Sequence, residues 1–525
     1  MKMDSIIVLT GRTCTHALLF AQLITPDGTN HGLHGFVVPI RDPATLETYP
    51  GLIVGDMGEK IGVHGIDNGT GYHGENLLNR SADVTEEGVY ESKFSEPSRI
   101  LGAALENLSA GRIGIMQESC NSISSAVCIA IRYAATRQQF GTAAQEIPLI
   151  EYQLHQWRLF GYVAASVVFK LYIQNMTQVY LKVVEKSNSG QKLDNLAKSE
   201  TVSEIHAMVS SSKPMMTWTV LRAAQQCREA CGGHGFLKRA NLGDIRSNHE
   251  ATVTYEGDNS VLCQQAGNWL LRQYGAACAA QPVDSPLGTV AFLQRGEDIL
   301  AEKFQARASD DLKTTEINCE FVIVIHYPYL GVRCQILLRS QPVYQTIHII
   351  LSTYRWLLCY LLKETHDQYQ SLIASGLTKF HAKAKTQVYK WQTLTQVYAE
   401  YLALMFSLES IGRKEKDLQP VLEKQFLLYG LWSLDRHLVE LYQGGFAQGE
   451  GLAKLLRRAV LELCSDVKNE VVSIVDALGP TDFVLNSVLG KSDGKLYQNL
   501  QKEFFHNPGG LQRATWWRDV VPSKL

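Results

Sequence analysis

The segment Met116–Ala134, MQESCNSISSAVCIAIRYA, decides the fold class, because its apolar residues recur at the spacing of an α-helix. Apolar side chains follow one another every three or four positions, at Met116, Cys120, Ile123, Val127, Ala130 and Ala134. This period places them on one face of a helix. The pattern begins at about Ser98, so the sequence predicts one long helix whose small residues allow close packing in a bundle.

Two more long helices are predicted downstream. The helical period returns in Leu154–Leu171 and again from about Leu196 to Ala230. The third helix is expected to end at Gly232-Gly233, as helices often end at glycine, and Pro214 is expected to kink or split it. Residues 96–280 are therefore predicted to form a central helical domain.

The N-terminal part of the chain has a different pattern. His16–Ile24 and Leu33–Arg41 are apolar and rich in β-branched and aromatic residues, and the turn-forming residues Pro26-Asp27-Gly28 lie between them. Residues 1–95 are therefore predicted to form a partial β domain. Since a few strands with open edges rarely stand alone, either they pair with something else or the domain is incomplete.

The C-terminal part of the chain, residues 281–525, has helical periodicity again and is predicted to form a second helical bundle. One stretch, residues 317–350, is rich in Val, Ile and Tyr, which favours strand or irregular structure. The predicted fold class is mainly α: a partial β domain followed by two helical-bundle domains.

Composition excludes some classes of function. The chain of 525 residues has 50 basic and 52 acidic residues, a balance that argues against a broad nucleic-acid surface. The most apolar window, Phe321–Val332, is too short to span a bilayer. The chain ends in Ser523-Lys524-Leu525, which is a receptor-read address for the peroxisome matrix.

The 11 cysteines do not suggest a metal site. Cys227, Cys231 and His234 are the nearest grouping, but a structural zinc site needs four ligands and no second pair has suitable spacing. We therefore expect no metal, and we expect mostly buried free thiols in a reducing compartment.

Two motifs contain candidate cofactor-binding residues, and each has a structural alternative. Gly232 and Gly233 let a backbone approach a diphosphate closely, but they equally suit a helix end. Arg137 offers a fork for phosphate oxygens or complements the dipole at a helix end. Gln139 could bond a base edge, and Phe140 could cover an aromatic ring.

The third motif is TYEGDN, Thr254–Asn259, which places Glu256 and Asp258 on either side of one glycine. Beside Gly257, Glu256 could approach a substrate with little steric hindrance, and desolvation would raise its pKa towards the range useful for proton abstraction. A solvated acid in a turn is the alternative, and the residues alone leave both interpretations open.

Taken in order, TRQQFG (136–141), CREACGGHGF (227–236) and TYEGDN resemble the acyl-CoA oxidases, relatives of the acyl-CoA dehydrogenases. The strings FAQLITPDG (20–28), LHGFVVPIRD (33–42) and YGLWSL (429–434) fit the same pattern, as does the Ser-Lys-Leu end. The resemblance covers nearly the whole chain and is closest to the branched-chain type within that family.

The resemblance implies an FAD enzyme that converts a fatty acyl-CoA to a trans-2-enoyl-CoA and passes the electrons to molecular oxygen, giving hydrogen peroxide. It implies that Glu256 takes the α proton. It also implies a homodimer, because the family builds its cofactor site partly from a neighbouring subunit, and it implies recognition by the peroxisomal import receptor. By the same resemblance, the cofactor-binding positions are Arg137, Gln139, Phe140, Gly232, Gly233 and Asp258.

Two alternatives stay open from sequence. One is a dehydrogenase that hands electrons to a protein acceptor, and the other is an inactive subunit that only associates with a full-length oxidase. The second arises because the resemblance begins partway into the family's β domain, which implies that residues 1–95 are the second half of that domain, and because stretch 317–350 has no clear counterpart. We accordingly expect weak FAD binding and little activity from this chain.

Overall fold

The computed structural model describes residues 5–7, 11–73, 84–85, 87–91, 97–142, 144–188, 195–304, 321–327, 332–338, 342–386 and 390–521. The chain divides into two compact units. The first comprises residues 1–112 with 254–256, and the second comprises residues 113–253 with 257–525. The predicted fold class is confirmed, because the structure is mainly helical with a small N-terminal sheet region. The boundaries proposed from sequence at 95/96 and 280/281 stay predictions.

The first unit contains short antiparallel sheets. Its strands are β1 (Ser5–Ile7), β2 (His16–Ile24), β3 (Asn30–Pro39), β4 (Leu52–Asp56) and β5 (Gly69–His73). β2 and β3 pair from His16–Pro39 to Ile24–Asn30 with a register shift between Gln22 and Ile24, and they correspond to the two apolar runs that were predicted as strands on either side of the turn. β1, β5 and β4 form a separate three-stranded sheet in that order. Among the described side chains of this unit, one small buried cluster contains Ala17, Val38, Ile40 and Leu52.

The second unit is a helical bundle with two added hairpins. Its longest helices are α1 (Pro97–Thr136, which begins in the first unit), α2 (Gln153–Asn188) and α3 (Asn195–Ala230). The other helices are α4 (Leu242–His249), α5 (Asn259–Cys278), α6 (Gly296–Ala301), α7 (Pro342–Ala374), α8 (Lys379–Thr386), α9 (Gln392–Gly412), α10 (Gln419–Leu434), α11 (Leu438–Gln443), α12 (Gly451–Val467), α13 (Val471–Leu478), α14 (Asp482–Leu485), α15 (Leu496–Phe505) and α16 (Trp517–Val520). The hairpins are β6 (Gln138–Thr142) with β7 (Gln145–Pro148), and β8 (Phe321–Tyr327) with β9 (Val332–Leu338).

Small residues let the long helices of the bundle approach closely, as the sequence predicted. Met116, Ile123 and Val127 of α1 are buried on the face that their spacing defined. On α2, Gly161 lies against the indole of Trp432 on α10, and a Cβ atom at Gly161 would lie 2.6 Å from that ring. Any larger residue at this crossing would force the helices apart.

Two details of the predicted helical half need correction. Pro214 does not split α3, which runs unbroken from Asn195 to Ala230, and the alternative of a kink at Pro214 stays a prediction. Stretch 317–350 does contain the β8–β9 hairpin, but α7 begins at Pro342, so its last nine residues are helical. Ile347 and Ile350 are both fully buried, and burial outweighs the weak strand preference of β-branched residues. No described helix combines the length and apolarity that a membrane-crossing segment needs.

Candidate functional site

The end of α1 turns into a hairpin that presents Phe140 to solvent. Tyr152 clamps this turn, since its hydroxyl donates to the Gln139 carbonyl (3.0 Å) and accepts from the Gly141 amide (2.8 Å). The strand register shifts between Gln139 and Thr142, and Phe140 has a φ of +57° with its side chain 77% exposed. An exposed aromatic ring on a left-handed backbone is costly, and such strain concentrates at ligand-binding positions.

Arg137 lies at the junction between α1 and this hairpin and is half-buried. Its Nη1 donates to the Tyr497 hydroxyl (3.1 Å), and its guanidinium lies 5.5 Å from the centre of the Tyr497 ring. A guanidinium has five N–H donors in a planar fork, and the bond to Tyr497 uses one of them. The arrangement orients the fork and leaves it capable of binding phosphate oxygens.

Gly232 and Gly233 follow the last residue of α3 and differ from their neighbour Gly235. A Cβ atom at Gly232 or Gly233 would meet no atom within 4 Å, and Gly232 has a φ of +57°. A Cβ atom at Gly235 would instead collide with the Arg228 carbonyl. The third glycine is therefore needed for packing, whereas the first two leave open space beside an exposed backbone.

One contact brings these two motifs together. The Tyr133 hydroxyl of α1 lies 3.0 Å from Nδ1 of His234, which belongs to the turn that begins at Gly232. Burial, and then the charge of Arg137, lowers the pKa of His234, so the neutral ring is favoured. Arg137 therefore lies close enough to the turn that begins at Gly232 for its charge to act on His234, although the two are almost one hundred residues apart in sequence.

The neighbouring thiols are core residues. Cys227 and Cys231 are buried, and burial raises the pKa of Cys227 to about 12. Seven of the nine cysteines that the structure describes are buried, so the prediction of mostly buried thiols is confirmed. Within the described ranges, no group of three His, Cys, Asp or Glu side chains is arranged to hold a metal ion.

Glu256 belongs to the first unit and lies against α1. A Cβ atom at Gly111 would lie 2.6 Å from Oε2 and 2.9 Å from Oε1 of Glu256, so the carboxylate occupies the space that this glycine leaves. Nε of Arg112 donates to the Glu256 carbonyl (3.1 Å). Glu256 itself is exposed and has a φ of +57°. Sequence reasoning missed both Gly111 and Arg112, although a glycine inside a long helix was an available signal.

The second acid of TYEGDN has a structural role. Oδ1 of Asp258 accepts from the backbone amides of Ser260 (2.9 Å) and Val261 (3.2 Å), so Asp258 is the N-cap of α5. Its assignment to the cofactor site stays a prediction. Lys213 and Asn259, which sequence reasoning also missed, lie beside Gly257 in the second unit. Ser523–Leu525 lie outside the described residues.

Two family models match this chain. The one described as "Acyl-CoA oxidase, C-alpha1 domain" matches residues 106–271, and the one described as "Acyl-CoA oxidase" matches residues 346–525. Among similar proteins, human peroxisomal acyl-coenzyme A oxidase 3 is 38% identical over 98% of this chain and 70% of its own length. Caenorhabditis elegans acyl-coenzyme A oxidase acox-3 is 33% identical over 94% of this chain and 69% of its own length.

Solved structures share the fold. Arabidopsis thaliana acyl-CoA oxidase 1 superposes with a TM-score of 0.81 at 23% identity, covering 99% of this chain and 73% of that protein. Caenorhabditis elegans acyl-CoA oxidase-1, solved in complex with FAD and ATP, superposes with a TM-score of 0.78 at 20% identity, covering 98% of this chain and 70% of that protein. At these sequence identities the superpositions show only that the fold is shared.

Proposed function

This chain belongs to the acyl-CoA oxidase family, and from that premise we propose that it is an FAD-dependent oxidase of fatty acyl-CoA. Membership makes it an oxidoreductase, and the peroxisomal names of its relatives confirm the predicted location. The proposed reaction is α,β-dehydrogenation to a trans-2-enoyl-CoA with release of hydrogen peroxide. The substrates are proposed to include 2-methyl-branched chains, because the sequence resembles the branched-chain type most.

The placement of Glu256 is the observation that carries this proposal. An α proton of a thioester is weakly acidic, so its removal needs a carboxylate held at a fixed position. The Glu256 carboxylate lies in the space left by Gly111, and Arg112 holds the Glu256 carbonyl. A glutamate with a φ of +57° is strained, and such strain persists where a side chain is held for function.

The residues predicted to bind FAD fit a dinucleotide. Arg137 supplies a guanidinium fork for phosphate, the exposed ring of Phe140 supplies a stacking surface, and the open space beside Gly232 and Gly233 admits a diphosphate. Gln139 is placed in the same hairpin and is proposed to bond the base. When bound, FAD supplies the acceptor for the β hydrogen and passes the electrons to oxygen. We propose that Glu256 removes the α proton.

The exposed position of Phe140 also supports the proposed homodimer. A flavin that rests on this hairpin would be shared with a second subunit, which would cover the ring. The proposed partners are therefore acyl-CoA, molecular oxygen, a second copy of the chain and the peroxisomal import receptor. The two alternatives, a dehydrogenase and an inactive subunit, are not favoured, because the relatives reported above are all named oxidases.

The test measures hydrogen peroxide from the purified chain with acyl-CoA, oxygen and no added electron acceptor. Glu256→Gln is expected to lower kcat by about 10²- to 10⁴-fold, the usual contribution of a general base. Glu250→Gln is the matched control, because Glu250 is a partly exposed acid six residues earlier in the sequence that pairs with Arg246, and its replacement is expected to leave the rate unchanged.

A single turnover that forms enoyl-CoA and leaves reduced flavin, without peroxide, would point to the dehydrogenase. Full activity of Glu256→Gln would remove Glu256 from the mechanism. Flavin absorbance of the same preparation tests the expectation of weak FAD binding, because a stoichiometrically yellow chain would contradict it.

A further inference from the structure

Lys213 is a fully buried lysine in the interior of α3, with 0% of its surface exposed. A charged group is rarely placed in a protein interior unless strong hydrogen bonds compensate for its lost hydration. Nζ of Lys213 donates to the Gly257 carbonyl (2.6 Å) and to Oδ1 of Asn259 (3.1 Å). These acceptors follow Glu256 by one and three residues, so the ammonium group holds the loop segment directly behind the proposed base.

The contact is part of a closed network. Nδ2 of Asn259 donates to Oγ1 of Thr217 (3.0 Å), and that hydroxyl donates to the Lys213 carbonyl (2.8 Å). Lys213 and Thr217 are one helical turn apart, so they share a face of α3. Asn259 and Thr217 are also buried, which shields all three hydrogen bonds from water.

The backbone in this loop needs such an anchor. Glu256 has a φ of +57° and Gly257 a φ of +105°, so two consecutive residues lie in the left-handed region. Each of their carbonyls accepts a hydrogen bond from a basic side chain, Arg112 for Glu256 and Lys213 for Gly257. Without one of these bonds, the strained pair could relax to a commoner conformation and carry the Glu256 side chain with it.

We propose that Lys213 is a positioning residue for the oxidase reaction, which fixes the Gly257 peptide and thereby the direction of the Glu256 side chain. The inference rests on the proposed function, since it assigns Lys213 a role only if Glu256 is the base. Lys213 acts through the backbone, so its loss is expected to change the geometry of proton removal while acyl-CoA binding is retained.

The first test is hydrogen exchange of the full chain, and it needs neither flavin nor turnover. In Lys213→Met the amides of residues 255–258 are expected to exchange at least about 10-fold faster than in the unmodified chain, because local opening limits their exchange. Lys424→Met is the matched control, since it removes another lysine hydrogen bond, to Glu470 (2.7 Å), far along the sequence. It is expected to leave exchange at residues 255–258 unchanged.

The second test uses the flavin-loaded enzyme and acyl-CoA deuterated at Cα. Lys213→Met is expected to lower kcat about 10- to 100-fold with KM changed less than about twofold, the pattern of a misplaced catalytic group. The isotope effect is expected to rise, because proton removal becomes slower relative to other steps. A merely structural role would lower the amount of active enzyme and leave the isotope effect of the remainder unchanged, which would overturn the proposal.

A second variant keeps the proposal falsifiable if Lys213→Met does not fold. Thr217→Val keeps the buried charge and the side-chain shape but removes the acceptor of Asn259, so smaller changes in the same direction are expected in both tests. Unchanged exchange at residues 255–258 in the folded variants would overturn the role of Lys213. If the unmodified, flavin-loaded chain does not oxidise acyl-CoA at all, the proposed function fails, while the exchange data still decide whether Lys213 anchors the loop.

Discussion

Glu400 in the helical core and Glu256 in the TYEGDN loop are held in opposite ways. Glu400 is fully buried on α9, and Glu256 is exposed on a strained backbone. The carboxylate of Glu400 accepts four hydrogen bonds, from Gln396 (3.0 Å), Arg436 (2.7 Å), His437 (2.7 Å) and Tyr354 (3.0 Å). A carboxylate whose oxygens accept several fixed hydrogen bonds stabilises a fold. A carboxylate that its backbone holds in an open space can instead accept a proton from a substrate.

The pKa of Glu400 supports this distinction. Burial acts to raise it, but the charges of Arg436 and His437 overcome burial and hold the pKa below the ordinary value of 4.5. The stability that Glu400 contributes is therefore present above its unfolded pKa and is lost as pH falls through the lower folded value. Glu400 stays ionised at neutral pH and is not available as a base.

The largest expected effect separates the two acids by stability. Glu400→Ala leaves the buried His437 and Tyr354 side chains without their shared acceptor, and the partly exposed Arg436 without its ion-pair partner. We expect a loss of roughly 2–5 kcal/mol of stability, at about 1–3 kcal/mol for each unsatisfied buried group. Glu256→Ala is expected to change stability by less than about 0.5 kcal/mol, since it is a surface residue. Thermal and urea midpoints measure both. Equal destabilisation by the two variants would break the comparison.

A buried histidine extends the comparison to pH. His249 is 1% exposed, neither ring nitrogen has a hydrogen-bond partner among the described residues, and burial lowers its pKa to about 4. The unfolded chain takes up this proton near pH 6.5, so the contribution of neutral His249 is complete above that pH. We expect it to be lost as pH falls from 6.5 to 4, by about 3 kcal/mol at 1.4 kcal/mol per pKa unit.

Unfolding midpoints measured between pH 7 and 4 test this dependence. His249→Leu is expected to flatten the slope, because the group that must be kept neutral is gone. His506→Leu is the control, since His506 is exposed at the end of α15 and its replacement is expected to leave the slope as it is. An unchanged slope in His249→Leu would assign the acid sensitivity to other groups.

The glycine beneath Glu256 gives a prediction in which stability and activity change in opposite directions. Alanine in place of Gly111 puts a Cβ atom 2.6 Å from the carboxylate, so Glu256 must move, and kcat is expected to fall about 10- to 100-fold. The same change favours the helix by roughly 0.5–1 kcal/mol. Gly114→Ala is the matched control, because a Cβ atom there meets nothing within 4 Å.

Gly114→Ala is therefore expected to stabilise α1 by a similar amount with activity unchanged. Steady-state peroxide production and thermal midpoints of the two variants decide the question. If Gly111→Ala were as active as Gly114→Ala, the position of the Glu256 carboxylate beside Gly111 would not matter for catalysis.

The comparison also explains what the sequence could and could not predict. Helical periodicity is local, so it located α1, the start of α2 and both ends of α3 to within a few residues, although α2 continues to Asn188, beyond the predicted Leu171. The contact of Arg112 with Glu256 joins residues 144 positions apart, and no spacing rule reaches that far. The partners of Glu400 are likewise dispersed over α7, α9 and the turn that follows α10, so no local sequence pattern indicates that they meet. Ile347 was misassigned because intrinsic preference is weaker than burial.

The smallest expected effect comes from a second buried carboxylate, Glu204 on α3. Its oxygens accept from the hydroxyl groups of Ser285 and Thr289 and from the amides of Leu287 and Thr289. Ser285→Ala removes one of these donors while three remain, together with a part-buried bond from the Val290 amide (3.2 Å), so we expect a loss of about 1 kcal/mol. Thr289→Val costs more, roughly 2 kcal/mol, because both bonds of its hydroxyl, to Glu204 and to the Tyr398 hydroxyl (2.8 Å), are fully buried. Thermal midpoints should rank the two variants in this order with peroxide production per folded enzyme unchanged. A larger loss for Ser285→Ala than for Thr289→Val would mean that one hydrogen-bond donor dominates the stabilisation of Glu204. The four donors would then not share it.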